Sequence, residues 1–169
     1  KIVLIADEIL TGFGRAGSLF AVEKSGIIPD LMCLGKGMAN GFPISACIGT
    51  TRIMYSWGVS KGDAIHTSTF LGNPLGCAVA LAVIREIEDQ KLVDRSRAMG
   101  EFFRKELWKL KEKHAAISDI RGSGLMIGME LGDKTGRFVE ECLRAGIVLL
   151  SSGEAHQVVS ITPPFIITE

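Results

Sequence analysis

Two residues of opposite charge, Asp7 and Lys36, each follow a short apolar segment that is typical of a β-strand. Ligands of open α/β sheets bind at the carboxyl ends of the strands, so these two side chains are expected to share one crevice. Gly35 and Gly37 flank Lys36 and let another group come close to its amine, while the apolar residues before it would remove water from it. The spacing therefore predicts a reactive lysine beside a carboxylate.

This pair of residue types fits one class of cofactor chemistry. A desolvated lysine attacks carbonyl carbon, and a lysine Schiff base with an aspartate facing a pyridinium nitrogen is what proteins contribute to pyridoxal-phosphate reactions. At this point each residue has an alternative interpretation. Lys36 could be an ordinary solvated surface lysine, and Asp7 could be a solvated loop carboxylate or a helix cap. A Walker phosphate loop is excluded, because Gly-Lys-Gly lacks both the upstream glycine and the following Ser or Thr.

A second enzyme class is suggested by residues 12–17, which match the G-x-G-x-x-G pattern of dinucleotide-binding turns. In that fold the first glycine ends the strand and the third packs against a full helix. Here several residues separate Asp7 from Gly12, and the helix predicted next is short. A nicotinamide-dependent oxidoreductase is therefore the weaker alternative.

The elements that must position these residues alternate between strand and helix. Apolar runs at residues 1–8, 31–35 and 44–50 predict strands, of which the first is typical of a strand buried on both faces of a parallel sheet. Because a sheet rarely starts with a central strand, the chain is expected to be one part of a longer polypeptide. The fold class is α/β.

Helices dominate the middle of the chain. Asn73-Pro74 predicts a helix start, and an apolar stripe at four-residue spacing runs from Leu75 to Ile87. A second amphipathic helix is predicted over 92–113, and the remaining segments, including 147–152 and 158–168, resemble strands around one helix. We divide the chain into residues 1–90, the larger domain, and residues 91–169, a small and incomplete domain.

Composition narrows the class of protein further. The 169 residues are 47% hydrophobic and 22% charged with a formal net charge of zero, which predicts a soluble globular protein that binds neither nucleic acid nor membrane. No metal site and no redox pair is expected, because no C-x-x-C occurs. The cysteines are predicted to be reduced and mostly buried, in a cytoplasmic protein: Cys33, Cys47, Cys77 and Cys142.

Three ordered segments carry a specific resemblance: IADEILTGFGRAG, PDLMCLGKGMANGFPISA and HTSTFLGNPLGCAVA. They resemble the class III pyridoxal-phosphate aminotransferases, the family of acetylornithine, ornithine and 4-aminobutyrate aminotransferases. RGSGLMIGMEL and TPPFIIT are also similar to that family, so the resemblance covers essentially the whole chain. It implies fold type I, with part of the mostly parallel sheet of the large domain followed by a small C-terminal α+β domain.

The resemblance implies roles for four residues. Asp7 would pair with the protonated pyridine nitrogen of pyridoxal 5'-phosphate, and Ile9 would pack on one face of the ring. Lys36 would hold the cofactor as a Schiff base and then shuttle a proton at the substrate carbon. Thr69 would donate its hydroxyl to the phosphate of a neighbouring subunit's cofactor, which implies a homodimer.

The implied reaction moves an amino group from an ω-amino acid, diamine or related amine to a keto acid such as 2-oxoglutarate or pyruvate. Two positions depart from the family pattern. Leu10 stands where Gln is common, and Ser160 stands where an arginine often binds a substrate carboxylate, which leaves the substrate open. Another carbanion reaction on the same cofactor (aminomutase, decarboxylase or racemase) and a non-catalytic fragment without the N-terminal phosphate loop are the alternatives.

Overall fold

The computed structural model describes residues 2–62 and 64–169, and their contacts form two compact units. The first unit contains the residues up to Phe13 together with Leu19–Lys91, and the second contains Gly14–Ser18 and Leu92–Glu169. The sequence-based domain boundary at residue 90 stays a prediction; the compact units divide after Lys91, and residues 14–18 group with the second unit.

The first unit is built around a three-stranded sheet. Its elements are the strands β1 (Ile5–Asp7), β2 (Leu31–Leu34) and β3 (Ala46–Gly49), the helices α1 (Thr51–Met54) and α2 (Pro74–Asp89), and 3₁₀ helices at Ala21–Ser25, Lys36–Met38 and Tyr55–Trp57. The strand order is β1-β2-β3, with β1 parallel to β2 and β2 antiparallel to β3. This sheet thus contains one parallel and one antiparallel pairing.

The first strand is less covered than its sequence predicts. β1 does pair in parallel with β2, but Ile5 and Leu4 are exposed instead of buried on both faces. The reason is that β1 lies at an edge of the sheet and the described residues place no element over these side chains.

Helix α2 starts as its sequence predicts but does not bury its whole stripe. The Asn73 side chain caps the helix by accepting the Gly76 N–H at 3.1 Å, and Pro74 occupies the first turn. Leu75 is 62% exposed, whereas Ile87 is 5% exposed. A spacing of four residues rotates each side chain by about 40° relative to the previous one, so the two ends cannot face the same core.

The second unit is a four-stranded antiparallel sheet with helices. Its elements are α3 (Leu92–Lys113), β4 (Asp119–Ser123), β5 (Met126–Glu130), a 3₁₀ helix at Gly132–Lys134, α4 (Thr135–Arg144), β6 (Leu150–Ser152) and β7 (Val158–Ile161). The strand order is β4-β5-β7-β6. Leu107 of α3 packs with Ile127, Met129 and Val159 of the sheet in one buried apolar core. Within the described ranges, no helix combines the length and hydropathy needed to cross a membrane.

The last predicted strand is shorter than expected. β7 ends at Ile161, and the TPPFIIT segment beyond it is not a strand. Pro163 and Pro164 have no N–H to donate to a sheet ladder, which explains why the strand stops before them.

Arg15 ties residues 14–18 to the second unit. Its Nη1 donates to the carbonyl oxygens of Leu125 at 3.0 Å and Pro163 at 2.7 Å, and its guanidinium lies 4.5 Å from the centre of the Phe165 ring. Burial lowers the pKa of Arg15 from its ordinary value. Arg15 therefore organises the chain after β7 through main-chain carbonyls.

Glycines allow three main-chain segments of the second unit to touch. A Cβ atom at Gly100 on α3 would lie 2.0 Å from the carbonyl oxygen of Gly124, and one at Gly124 would lie 2.4 Å from the nitrogen of Gly17. Gly124 also has φ of +53°, which L side chains rarely adopt. The neighbouring atoms belong to main chain and cannot turn aside as a side chain would.

We expect Gly100→Ala to lower the free energy of unfolding by about 2 kcal/mol or more, the scale of overpacking a closed contact. Gly136 provides the matched control, because it lies in α4 and a Cβ atom there would meet nothing within 4 Å. Gly136→Ala should raise the free energy of unfolding by about 0.5 kcal/mol through helix propensity. Urea unfolding of both variants measures the two effects, and equal stabilities would contradict the close main-chain contact.

Candidate functional site

Parallel pairing places Asp7 and Lys36 at one edge of the first sheet. Asp7 is the last residue of β1 and pairs with Cys33 of β2, and Lys36 follows β2 at the start of a 3₁₀ helix. Because the two strands run in the same direction, both residues leave the sheet at its carboxyl edge. This is the edge at which α/β sheets bind ligands.

The Asp7 carboxylate is exposed and held at one oxygen. Its Oδ1 accepts the N–H of Ile9 at 3.0 Å. The other oxygen has no hydrogen-bond partner in the described part of the chain, which leaves it able to accept a hydrogen bond from a ligand. A carboxylate oriented in this way suits a protonated ring nitrogen.

The neighbouring Glu8 has a different task, because successive strand residues point to opposite faces. Glu8 is only 3% exposed, and its carboxylate accepts hydrogen bonds from the Thr11 hydroxyl and from the Val22 N–H, the latter at 2.7 Å. A hydroxyl and a main-chain N–H thus provide the hydrogen bonds that a buried carboxylate needs. Glu8 fixes the turn that follows Asp7.

Ile9 lies against the main chain that leads into Lys36. A Cβ atom placed on Gly35 would be 3.4 Å from Ile9 Cγ2, an ordinary van der Waals distance. Ile9 is half-buried, whereas the adjacent Leu10 is exposed. The structure therefore brings Asp7, Ile9 and the segment of Lys36 together.

Lys36 has an unusual backbone conformation. Its φ is +40°, in the left-handed region that non-glycine residues rarely occupy and that is enriched at functional sites. The apolar surroundings expected from the sequence do not form around it, since the side chain is exposed and has no hydrogen-bond or ion-pair partner among the described residues. β2 ends before Lys36, so its side chain extends beyond the half-buried strand. The amine is therefore accessible from solvent in the described part of the chain.

Thr69 is placed in a different region of the first unit. It lies in a turn closed by a hydrogen bond from the Leu71 N–H to the Ser68 carbonyl at 3.2 Å, and its side chain is exposed. No hydrogen bond of the described residues links Thr69 to Asp7 or Lys36. Its proposed contact with a second subunit's cofactor stays a prediction.

The structure contradicts the dinucleotide alternative. Residues 12–17 divide between the two units after Phe13, and the helix that follows them is a single short 3₁₀ helix at Ala21–Ser25. A dinucleotide fold presents the N-terminus of a full α-helix to the pyrophosphate. The glycines instead shape a turn, in which a Cβ atom at Gly12 would lie 2.7 Å from the Glu8 carbonyl oxygen.

Sequence reasoning missed a pair of cysteines beside Asp7. Cys33 of β2 lies directly opposite Cys47 of β3. Cys47 and Cys77 are exposed, so the expectation that the cysteines are mostly buried is wrong. Burial raises the pKa of the Cys33 thiol, and the nearby Cys47 and Asp7 raise it further. Pairing the apolar runs 31–34 and 46–49 as antiparallel neighbours would have revealed the juxtaposition.

We expect Lys36→Gly to raise the free energy of unfolding by about 0.5–1 kcal/mol, because glycine adopts positive φ without the steric cost that lysine bears. Lys91, which follows α2 with φ of +51°, is the matched control outside the candidate site. Lys91→Gly should stabilise the protein by a similar amount in urea unfolding. A loss of stability in Lys36→Gly alone would show that the lysine side chain stabilises its segment by contacts that outweigh the strain.

Comparison with known proteins agrees with this geometry. The model of the family "Aminotransferase class-III" matches residues 1–169. The chain is 38% identical over 163 residues to the acetylornithine aminotransferase of Clostridium acetobutylicum, covering 96% of this chain and 41% of that protein. It is also 38% identical over 182 residues to the 5-aminovalerate aminotransferase DavT of Pseudomonas aeruginosa, covering 99% of this chain and 41% of that protein.

A solved structure shows the same fold. An amine transaminase from an uncultivated Pseudomonas species, in its PLP-bound form, superimposes with a TM-score of 0.88 at 31% identity, covering 99% of this chain and 41% of that one. The chain thus spans about two fifths of the length of the proteins it matches. Its full-length match to the family model, together with the shared fold, shows that the chain belongs to the class III aminotransferases, a pyridoxal-phosphate-dependent family.

Proposed function

We propose that this chain carries the lysine and the aspartate of a pyridoxal-phosphate aminotransferase site. The observation that supports the proposal most is that Asp7 and Lys36 leave adjacent parallel strands at one sheet edge. The side chains present fit the cofactor: the Lys36 amine and one Asp7 carboxylate oxygen, neither of which has a hydrogen-bond partner among residues 2–62 and 64–169, and the apolar surface of Ile9. Bound pyridoxal phosphate supplies an electron sink for negative charge at the substrate carbon.

Each residue would contribute a separate physical effect. Lys36 would hold the cofactor through its amine, and the same amine would be a base for the substrate Cα–H. Asp7 would keep the ring nitrogen protonated by charge and hydrogen bonding, and the Ile9 N–H fixes the direction of that carboxylate. The Ile9 side chain would pack on the cofactor ring and exclude water from it.

The proposed reaction transfers an amino group from an ω-amino acid, a diamine or a related amine to a keto acid such as 2-oxoglutarate or pyruvate. The named relatives act on acetylornithine and 5-aminovalerate, and 4-aminobutyrate belongs to the same class of ω-amino acids. We propose these three amines as the first donors to compare.

We also propose that the protein works as a homodimer in the cytoplasm. Thr69 would reach the cofactor phosphate of a second copy, and the exposed apolar side chains of Phe70 and Leu71 beside it favour coverage by another chain. Free cysteines throughout the chain fit a reducing compartment.

Borohydride labelling of the purified protein tests the lysine directly. Incubation with one equivalent of pyridoxal phosphate, followed by reduction, should attach the phosphopyridoxyl group to Lys36. Trypsin does not cut after the modified lysine, so the label should appear in a peptide that spans residues 25–52. A separate sample, incubated with pyridoxal phosphate but not reduced, should convert 2-oxoglutarate to glutamate with at least one of the three donors.

Three variants sharpen the result. Lys36→Arg should lose the label, whereas Lys91→Arg should keep it. Asp7→Asn should keep the label but lower the rate of transamination by about 10²-fold or more, the scale seen when a group that stabilises transition-state charge is removed. Label spread evenly over the surface lysines, or an Asp7→Asn rate equal to that of the parent, would overturn the assignment.

A further inference from the structure

The antiparallel pairing of β2 with β3 sets two thiols opposite each other at the edge of the sheet that carries Asp7 and Lys36. Cys33 pairs with Cys47, and Asp7 pairs with Cys33. Paired residues of neighbouring strands point to the same face, so Asp7, Cys33 and Cys47 form one row across the three strands. The influence of Asp7 and of Cys47 on the pKa of the Cys33 thiol agrees with this proximity.

The distance between the two thiols depends on whether Cys33 and Cys47 form a hydrogen-bonded or a non-hydrogen-bonded pair of the antiparallel ladder. The Cys33 carbonyl accepts the Glu8 N–H at 3.0 Å, so the main-chain groups of Cys33 face β1 and not β3. Cys33 and Cys47 therefore occupy a non-hydrogen-bonded position of the antiparallel ladder, where Cα atoms are about 4.5 Å apart and side chains are closest. Disulfides span Cα separations of about 4.4–6.8 Å, so a bond here needs little main-chain movement.

Two further observations favour a disulfide between Cys33 and Cys47: a small molecule can reach one of the thiols, and the other cysteines lie on different elements. Cys47 is exposed and Cys33 is half-buried behind it. Cys77 lies on α2, outside the strand pair, and Cys142 lies on α4 in the other compact unit. Only Cys33 and Cys47 are strand partners among the cysteines of the described residues.

We propose that Cys33 and Cys47 form a reversible disulfide when the protein meets a low-molecular-weight disulfide such as oxidised glutathione. The exposed Cys47 thiolate attacks one sulfur of the small disulfide, forming a mixed disulfide and releasing one small thiolate. The Cys33 thiolate then attacks the Cys47 sulfur and releases the second. The protein loses two electrons and two protons, and the small disulfide is reduced to two thiols.

The position of this bond gives it a consequence for the lysine. Residues 33 and 47 enclose the segment that carries Lys36, so the disulfide closes that segment into a ring. It also replaces the Cys33 S–H beside Asp7 with a sulfur that has no proton to donate. The bond itself requires no cofactor, so its formation is independent of the proposed function.

Peptide mapping of the purified protein tests the proposal. After treatment with oxidised glutathione and alkylation of remaining thiols, trypsin should release residues 25–36 and 37–52 as one disulfide-linked species, because it cuts after Lys36. The peptides that hold Cys77 and Cys142, residues 62–85 and 138–144, should be found alkylated. Dithiothreitol should separate the linked peptides.

Serine variants provide the controls. Cys33→Ser and Cys47→Ser should each abolish the linked species, while Cys77→Ser and Cys142→Ser should retain it. If the half-buried Cys33→Ser protein does not fold, the exposed Cys47→Ser protein gives the same answer. Glutathione that stays on Cys47 at every ratio, a link from Cys47 to Cys77, a link between two chains, or no modification at all would each overturn the proposal.

Discussion

The main-chain hydrogen bond from the Glu8 N–H to the Cys33 carbonyl, 3.0 Å long, fastens the end of β1 to the end of β2. The placement of Asp7, Cys33 and Lys36 at one edge of the sheet follows from that attachment. It sets Asp7 beside Cys33, makes Lys36 leave the sheet at the same edge, and turns the main-chain groups of Cys33 away from β3. The chemistry of this edge is thus determined by strand direction and register before any side chain contributes.

Local signals in the sequence predicted local structure well. The Asn73 cap and Pro74 marked the start of α2, because capping depends on atoms within one turn. The neighbourhood of Asp7 and Lys36 also followed from sequence, since the parallel rule needs only two apolar strands and a crossover. Features that depend on register or on distant contacts did not follow: the Cys33–Cys47 pair, and the carbonyl partners of Arg15.

Exposure was the property that sequence patterns predicted least well. Apolar residues at the starts of β1 and α2 suggested burial, yet no element of the described residues covers Ile5 or Leu75, in a chain that spans about two fifths of the length of its relatives. An apolar residue type indicates that burial of the side chain is favourable. Burial itself requires another helix or strand to pack over that side chain. In the second unit this requirement is met, because α3 packs on the sheet and Val159 is completely buried.

The opposite orientations of Asp7 and Glu8 have a consequence for how this site tolerates change. The two carboxylates are adjacent in sequence, but one is exposed at the sheet edge and the other is buried under its own turn. A deletion of one residue within β1 would exchange their faces. The edge would then present a longer acid in place of the aspartate, and the turn would lose the carboxylate that closes it. Substitutions in β1 can therefore be accommodated more easily than changes in its length.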